Sequence, residues 1–215
     1  MCTGLQDGCH CKIRIGGEIM KNQNMSIVFA GVGGQGVILA SDLLAEVALI
    51  HGIDVKKAEV HGMAQRGGSV ISYVKFGDKV LSPIVEKKSA DILCSFEPLE
   101  AIRYIDFLRD DGYAILNTTK NFPLTSIFGK IPYPEKPAEV VAKFTNKVYE
   151  IDALKIALEL KVPNVVNVIL LGTISQLLPF SDDEWIQAIQ KKVKAKFVDI
   201  NKEAFKRGKE AIKFN

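Results

Sequence analysis

From Ser26 onward the chain alternates short apolar runs with longer stretches of helical period. Residues 26–30 are a continuous apolar run with β-branched and aromatic side chains, the pattern of a buried strand. Residues 37–51 are apolar on nearly every side, with Asp42 and Glu46 four apart on one flank, which predicts a helix sandwiched between other layers. Residues 54–60 predict a second strand and 61–68 a polar, glycine-rich loop. Residues 69–76 and 79–84 predict a hairpin about Gly77 and Asp78. A strand over 90–95, a helix over 98–109 with Pro98 in its first turn, and a strand over 112–117 come next. Four of the eight prolines fall in residues 118–137, which predicts a long surface excursion. A short helix (138–144), a strand (147–151) and a helix (153–160) complete the alternation. The tail reads as helical throughout: a buried helix over 165–178, a helix carrying Trp185 opened by a capping box from Ser181 to Glu184, and an amphipathic helix over 199–213. This order predicts an α/β fold of three layers, with a mainly parallel Rossmann-like sheet, an inserted hairpin and a helical C-terminal region. No internal repeat is visible, and residues 25–215 read as one domain.

Composition narrows the function classes. At 47% hydrophobic and 25% charged residues the chain belongs with ordinary globular proteins. A net charge of +3 gives no electrostatic case for binding nucleic acid. No apolar run reaches the roughly 18–20 residues that cross a bilayer. Residues 1–24 differ in character from the rest of the chain and hold Cys2, Cys9 and Cys11 with His10 between the last two. That spacing is not a structural-zinc pattern, and the segment lacks the apolar centre of a secretory signal. It reads as a dispensable extension, with Met25 as the start of the domain. Cys94, alone in an apolar strand, reads as a buried, inert thiol. Such a set of thiols is no disulfide framework, and a reducing cytoplasm is the expected setting.

Two loops carry candidate chemistry. Gly31, Gly33 and Gly36 satisfy G-x-G-x-x-G between the first strand and the first helix, where backbone can approach a phosphate and a helix N-terminus presents free N–H groups. Three readings stand: a nicotinamide or flavin site, a phosphate site of another kind, and a tight turn serving only helix–sheet packing. The dinucleotide reading also wants an acid ending the second strand; Asp54 comes too early and Glu59 leads into a loop, not a helix. That second loop, residues 59–68, places Glu59, His61, Gln65 and Arg66 together. The histidine could act as a general base and the arginine could clamp a carboxylate or phosphate. Equally, these polar groups could satisfy one another or meet a partner subunit.

GVGGQGVILASDLLAE (31–46) followed by EVHGMAQRGGSVISYV (59–74) resembles the gamma-type subunit of the 2-oxoacid:ferredoxin oxidoreductases. SFEPLEAIRY (95–104), VVNVILLG (165–172) and KFVDINKEAFKRGKE (196–210) agree in the same register. The resemblance covers about residues 25–213, and the indolepyruvate branch of the family is the most similar. It implies an accessory subunit, inactive alone, of an enzyme that decarboxylates a 2-oxoacid with coenzyme A to give an acyl-CoA, CO2 and reduced ferredoxin. Indolepyruvate and other aryl pyruvates are the implied substrates. The chain lacks the cysteine runs that hold iron–sulfur clusters and the motif that holds thiamine diphosphate through magnesium. Both cofactors are therefore expected on a large catalytic partner, with ferredoxin reached through the complex and no metal held here. Gly31, Gly33, Gly34, Gln35 and Gly36 are implied to lie beside the coenzyme A cleft, where backbone N–H groups could hold its phosphates. His61, Gln65 and Arg66 are implied to border the same cleft or the intersubunit surface. A free-standing NAD or flavin module and a pure scaffold subunit are the competing readings.

Overall fold

The computed structural model describes residues 24–60, 67–122 and 132–214, together with the backbone of 13–15, 18–20 and His61. Of the expected extension, β1 (Ile13–Ile15) and β2 (Glu18–Met20) pair antiparallel in a two-stranded sheet of their own. Cys2, Cys9, His10 and Cys11 lie outside the described residues.

The main sheet comprises β3 (Met25–Val32), β4 (Asp54–His61), β5 (Ser69–Gly77), β6 (Ala90–Ser95), β7 (Leu108–Asn117) and β8 (Val148–Ile151), in the order β4-β5-β3-β6-β7-β8. The β3–β6, β6–β7 and β7–β8 pairs are parallel, and the two pairs made by β5 are antiparallel. Every residue of β3 and of β6 is buried, as expected of central strands covered on both faces. Alternate residues serve two cores. Ile27, Phe29, Ile92 and Ile115 face the helices α1 (Val37–His51), α4 (Ala153–Glu159), α5 (Val166–Ser175), α6 (Asp182–Lys192) and α7 (Val198–Ala211). Val28, Ala30, Leu93 and Leu116 face α2 (Pro98–Tyr104) and α3 (Pro137–Val141). The three layers and mainly parallel sheet expected from the alternation are present.

Two expectations are corrected. Residues 79–84 do not pair back on β5, because β5 lies between β4 and β3 and has no free edge. The antiparallel neighbours are instead β4 and β5, and the Val80 N–H turns aside to the Asp54 carboxylate at 2.8 Å. The helix expected to reach residue 109 stops at Tyr104 and tightens into a 3-10 turn over Ile105–Phe107. Leu108, 2% exposed, already pairs with Ala90 at the start of β7, so burial and strand pairing outweigh the helical period.

The apolar first helix is sandwiched as its pattern predicts, between the sheet and α5 and α6. Its polar residues are placed in ion pairs: Asp42 meets Lys57, and Glu46, only 4% exposed, meets Lys191 and Lys192. Helix α6 opens on the expected capping box, with Ser181 and Glu184 satisfying each other's backbone N–H groups. Helices α5 and α7 touch backbone to backbone: a Cβ on Gly172 would lie 2.0 Å from the Phe205 carbonyl oxygen, and one on Gly208 1.9 Å from that of Ile169. Among the described residues no helix is long and apolar enough to cross a membrane.

The Lys191 ammonium holds the Glu46 carboxyl below its ordinary value, against the opposing push of burial. A depressed folded-state pKa contributes stability above the unfolded value and loses it as pH falls through the folded one. Glu46→Gln should therefore cost about 1 kcal/mol near pH 7, discounted for the exposed lysines. In melting experiments that is roughly 2–4 °C, and the gap to wild type should close on acidification below about pH 4.5. A gap constant down to about pH 3 would contradict this linkage.

Candidate functional site

The turn between β3 and α1 is built around a side chain. Gln35 Oε1 accepts from the Val32 N–H at 2.7 Å, while its Nε2 donates to the Phe96 carbonyl at 3.4 Å, just beyond β6. Phe96 also accepts from Asn117 Nδ2 at 3.0 Å, at the end of β7, and Asn117 Oδ1 accepts from the Ala153 N–H at 3.2 Å. The C-terminal ends of three adjacent parallel strands are thus tied through one carbonyl. Gly31 is required by closeness: a Cβ there would lie 2.7 Å from Val37 and 2.9 Å from both Gln35 and Phe96. Gly36, at φ +82°, caps α1 with no side chain, so among the described residues the first-turn N–H groups have no side-chain cap. Gly33 is pinned to the second loop, donating to the Gly68 carbonyl at 2.8 Å.

Against this turn lies a cavity of about 340 Å³, walled by Gly34, Gln35 and Gly36 on one side and by Pro163, Asn164 and Asn167 on the other, with Asn117 and Thr119 between. It sits where strand ends and helix starts meet, outside the carboxyl ends of β3 and β7, the usual place for ligands in such sheets. Of the glycine turn, Gly34, Gln35 and Gly36 line this cavity and Gly31 and Gly33 do not; opposite them stands Asn167, which no motif marks. It is 3% exposed and lies in the first turn of α5, whose N-terminus is also without a side-chain cap. Its Nδ2 meets the Gly36 carbonyl at 3.5 Å, while its Oδ1 has no hydrogen-bond partner among the described residues. The sequence signal was available: one asparagine inside the apolar run from Val165 to Leu171.

The family model for pyruvate ferredoxin/flavodoxin oxidoreductases matches residues 26–211. The chain belongs to this family. It is similar to the indolepyruvate oxidoreductase subunit IorB of Thermococcus kodakarensis, 40% identical over 199 residues that cover 90% of this chain and 98% of the relative. Among solved structures, the pyruvate oxidoreductase subunit PORC of Thermotoga maritima superposes with a TM-score of 0.66 at 25% identity, covering 88% of this chain and 97% of that one. A 2-oxoglutarate:ferredoxin oxidoreductase of Magnetococcus marinus, with 2-oxoglutarate, coenzyme A and succinyl-CoA bound, shares the fold with a TM-score of 0.68 at 21% identity. The match covers 87% of this chain and 30% of that longer one. The resemblance carried by the two loops is borne out.

In this pyruvate ferredoxin/flavodoxin oxidoreductase domain, the position of acids bears on the dinucleotide reading. Glu59 lies on β4, separated from β3 by β5, and its carboxylate bonds Lys57. Glu97, just past β6, is 1% exposed, and both its oxygens are engaged. One accepts from the Leu99 and Glu100 N–H groups at 2.7 and 3.1 Å, capping α2; the other accepts from the Asn121 N–H at 3.1 Å and the Tyr133 hydroxyl at 2.6 Å. Neither acid stands free at the turn for a ribose. Glu97 instead anchors both described ends of the proline-rich excursion, and burial, with the Glu97 carboxylate beside it, pushes the Tyr133 phenol up.

At the exit of the second loop, the Ser69 hydroxyl donates to the buried Glu100 carboxylate and meets the Tyr104 hydroxyl at 2.8 Å. Burial pushes the Glu100 carboxyl up against the pull of Ser69 and Arg103. Gln65 and Arg66 lie outside the described residues, and His61 is described only as the backbone partner of Val70. Among the described residues no group of three or more His, Cys, Asp or Glu side chains could hold a metal ion. Cys94 is fully buried, and burial pushes its thiol up. These residues do not fit an iron–sulfur cluster.

Glu97→Ala should destabilise the protein by about 3 kcal/mol, through a lost helix cap and orphaned buried donors. Tyr133→Phe should then cost less in the Glu97→Ala background than in wild type, measured by urea unfolding. Strict additivity of the two changes would remove the anchor assignment.

Proposed function

We propose that this chain is the accessory subunit of a thiamine-diphosphate-dependent 2-oxoacid ferredoxin oxidoreductase acting on indolepyruvate and other aryl pyruvates. It works with a large catalytic subunit that carries thiamine diphosphate, magnesium and the iron–sulfur clusters and passes electrons to ferredoxin. Together they convert the 2-oxoacid and coenzyme A to acyl-CoA and CO2. This chain's part is a wall of the coenzyme A cleft, formed by the turn from Gly31 to Gly36. The observation that carries the reading is the cavity at that turn: a preformed hollow at the strand ends, bordered by two helix N-termini without side-chain caps and by an amide oxygen without a partner among the described residues. The name of the Thermococcus kodakarensis relative supports the choice of substrate. The loop carrying His61, Gln65 and Arg66 is assigned to the same cleft and to the subunit interface, since Gly67 and Gly68 at its end bond Gly33 of the turn.

The purified chain should show no turnover of indolepyruvate with coenzyme A and an electron acceptor, and full activity should return on mixing with the large subunit. Arg66→Ala should weaken assembly or raise the KM for coenzyme A about tenfold, the loss expected for one charge-assisted hydrogen bond. Unchanged assembly, coenzyme A dependence and turnover would remove Arg66 from the cleft. Turnover by the chain alone would overturn the subunit reading.

A further inference from the structure

The two edges of the main sheet are finished differently. At one edge β8 is four residues long, and so short a strand offers little backbone to a neighbour. At the other, β4 runs eight residues from Asp54 to His61 with no proline or glycine, and among the described residues it pairs with β5 alone. The ladder fixes which of its groups face outward. Gly33 donates to the Gly68 carbonyl, and alternation along β5 from that point turns the N–H and C=O of Tyr73 toward Ala58. The backbone groups of Val55, Lys57 and Glu59 therefore point away from β5.

The side chains at this edge suit contact better than they guard against it. Lysine is a common guard on edge strands, but Lys57 is turned onto Asp42 of α1 and Glu59 of its own strand, and Lys56 lies 3.7 Å from Asp54. Val60, on the opposite face of the strand from Lys57, is 52% exposed. The Asp42–Lys57 pair also sets one stripe of α1 on the side of this edge. That stripe runs through Ile38, Asp42, Ala45 and Leu49, and both Ile38 and Leu49 are exposed.

We infer that β4 is the seat of an isologous dimer, in which it pairs antiparallel with β4 of a second copy across a two-fold axis normal to the sheet. Such an axis sets residues of one face against residues of the same face, so it passes through a single position of the strand. Centring it on Lys56, Lys57 or Glu59 puts like charges directly opposite each other, which is unfavourable. Centres nearer either end leave most of the strand unpaired. Ala58 remains. Centred there, Lys57 of each copy faces Glu59 of the other and joins it through the outward backbone groups, while Lys56 faces Val60. The charge order of β4 is thus complementary to itself in one register, and the occupant it selects is a second copy of this chain.

Sedimentation velocity of the full-length chain over a range of concentrations should show a reversible dimer. Val60→Lys sets a lysine opposite Lys56 of the other copy, twice by symmetry, and should weaken the dimer about tenfold. Val60→Glu sets an opposite charge there and should tighten it by about the same factor. Residue 60 is exposed, so neither change threatens the fold, and a merely structural effect would move both variants the same way. The reverse signs would shift the axis to Lys57, where Val60 meets Asp54, and overturn the pairing about Ala58. A monomer at every concentration, or a dimer indifferent to both variants, would overturn the inference altogether. So would loss of the dimer on adding the large subunit, which would give the edge to that partner.

Discussion

One backbone carbonyl organises the functional end of this fold. The oxygen of Phe96 receives the side-chain amides of Gln35 and Asn117, and through them the ends of β3, β6 and β7 are set at fixed spacing. A parallel sheet leaves the groups beyond its strand ends without ladder partners, and these must be satisfied by the turns beyond. Here two amide side chains meet that need. Amides suit the task because each carries a donor and an acceptor, so each can join two backbone segments that share no strand pairing. The Asn117 oxygen extends the tie to the first residue of α4. The hollow at the glycine turn is the space left when these elements are held apart at those distances.

The opposite wall comes from far along the chain. Asn167 meets Gly36 across 131 residues, so the cavity exists only once α5 is seated. What seats it is close contact with α7, where Gly172 and Gly208 let two helix backbones approach to a distance no side chain would allow. The Thr173 hydroxyl then donates to the Gly208 carbonyl at 2.9 Å, and the Gln176 amide to the Lys209 and Ile212 carbonyls. Helix–helix packing of this kind fixes position more tightly than apolar area alone, because hydrogen bonds between the helices add direction to contact.

Much of this was legible in the sequence wherever local rules decide. The bounds of α1, the buried β3, the capping box before Trp185 and the inert Cys94 are set by periodicity, capping chemistry and solitary burial. The failures share one cause. Which strand β5 pairs with is a property of the whole sheet, and a tempting Gly-Asp turn at 77–78 could not reveal that both its edges were taken. Likewise the period from Ile102 to Leu108 is helical, yet Leu108 is claimed by the start of β6. At the site, the glycine pattern announced a special turn but not what sits across from it. The sequence left the Gln35 side chain without a role, and the fold shows its two polar atoms given to backbone. Asn167 looked like one polar position in a buried helix, and only the fold shows that its oxygen lacks a donor among the described residues.

The direct backbone contact between α5 and α7 also has a mechanical side. Two helices separated by soft side chains can slide and absorb a push; two that meet carbonyl against glycine Cα cannot. A force applied to α7, by a neighbouring chain pressing on its outer face, would pass through Gly208 and Gly172 into α5 with little damping. It would arrive at Asn167 as a displacement of the cavity wall. The last helix is thus braced without slack against the helix that walls the cavity.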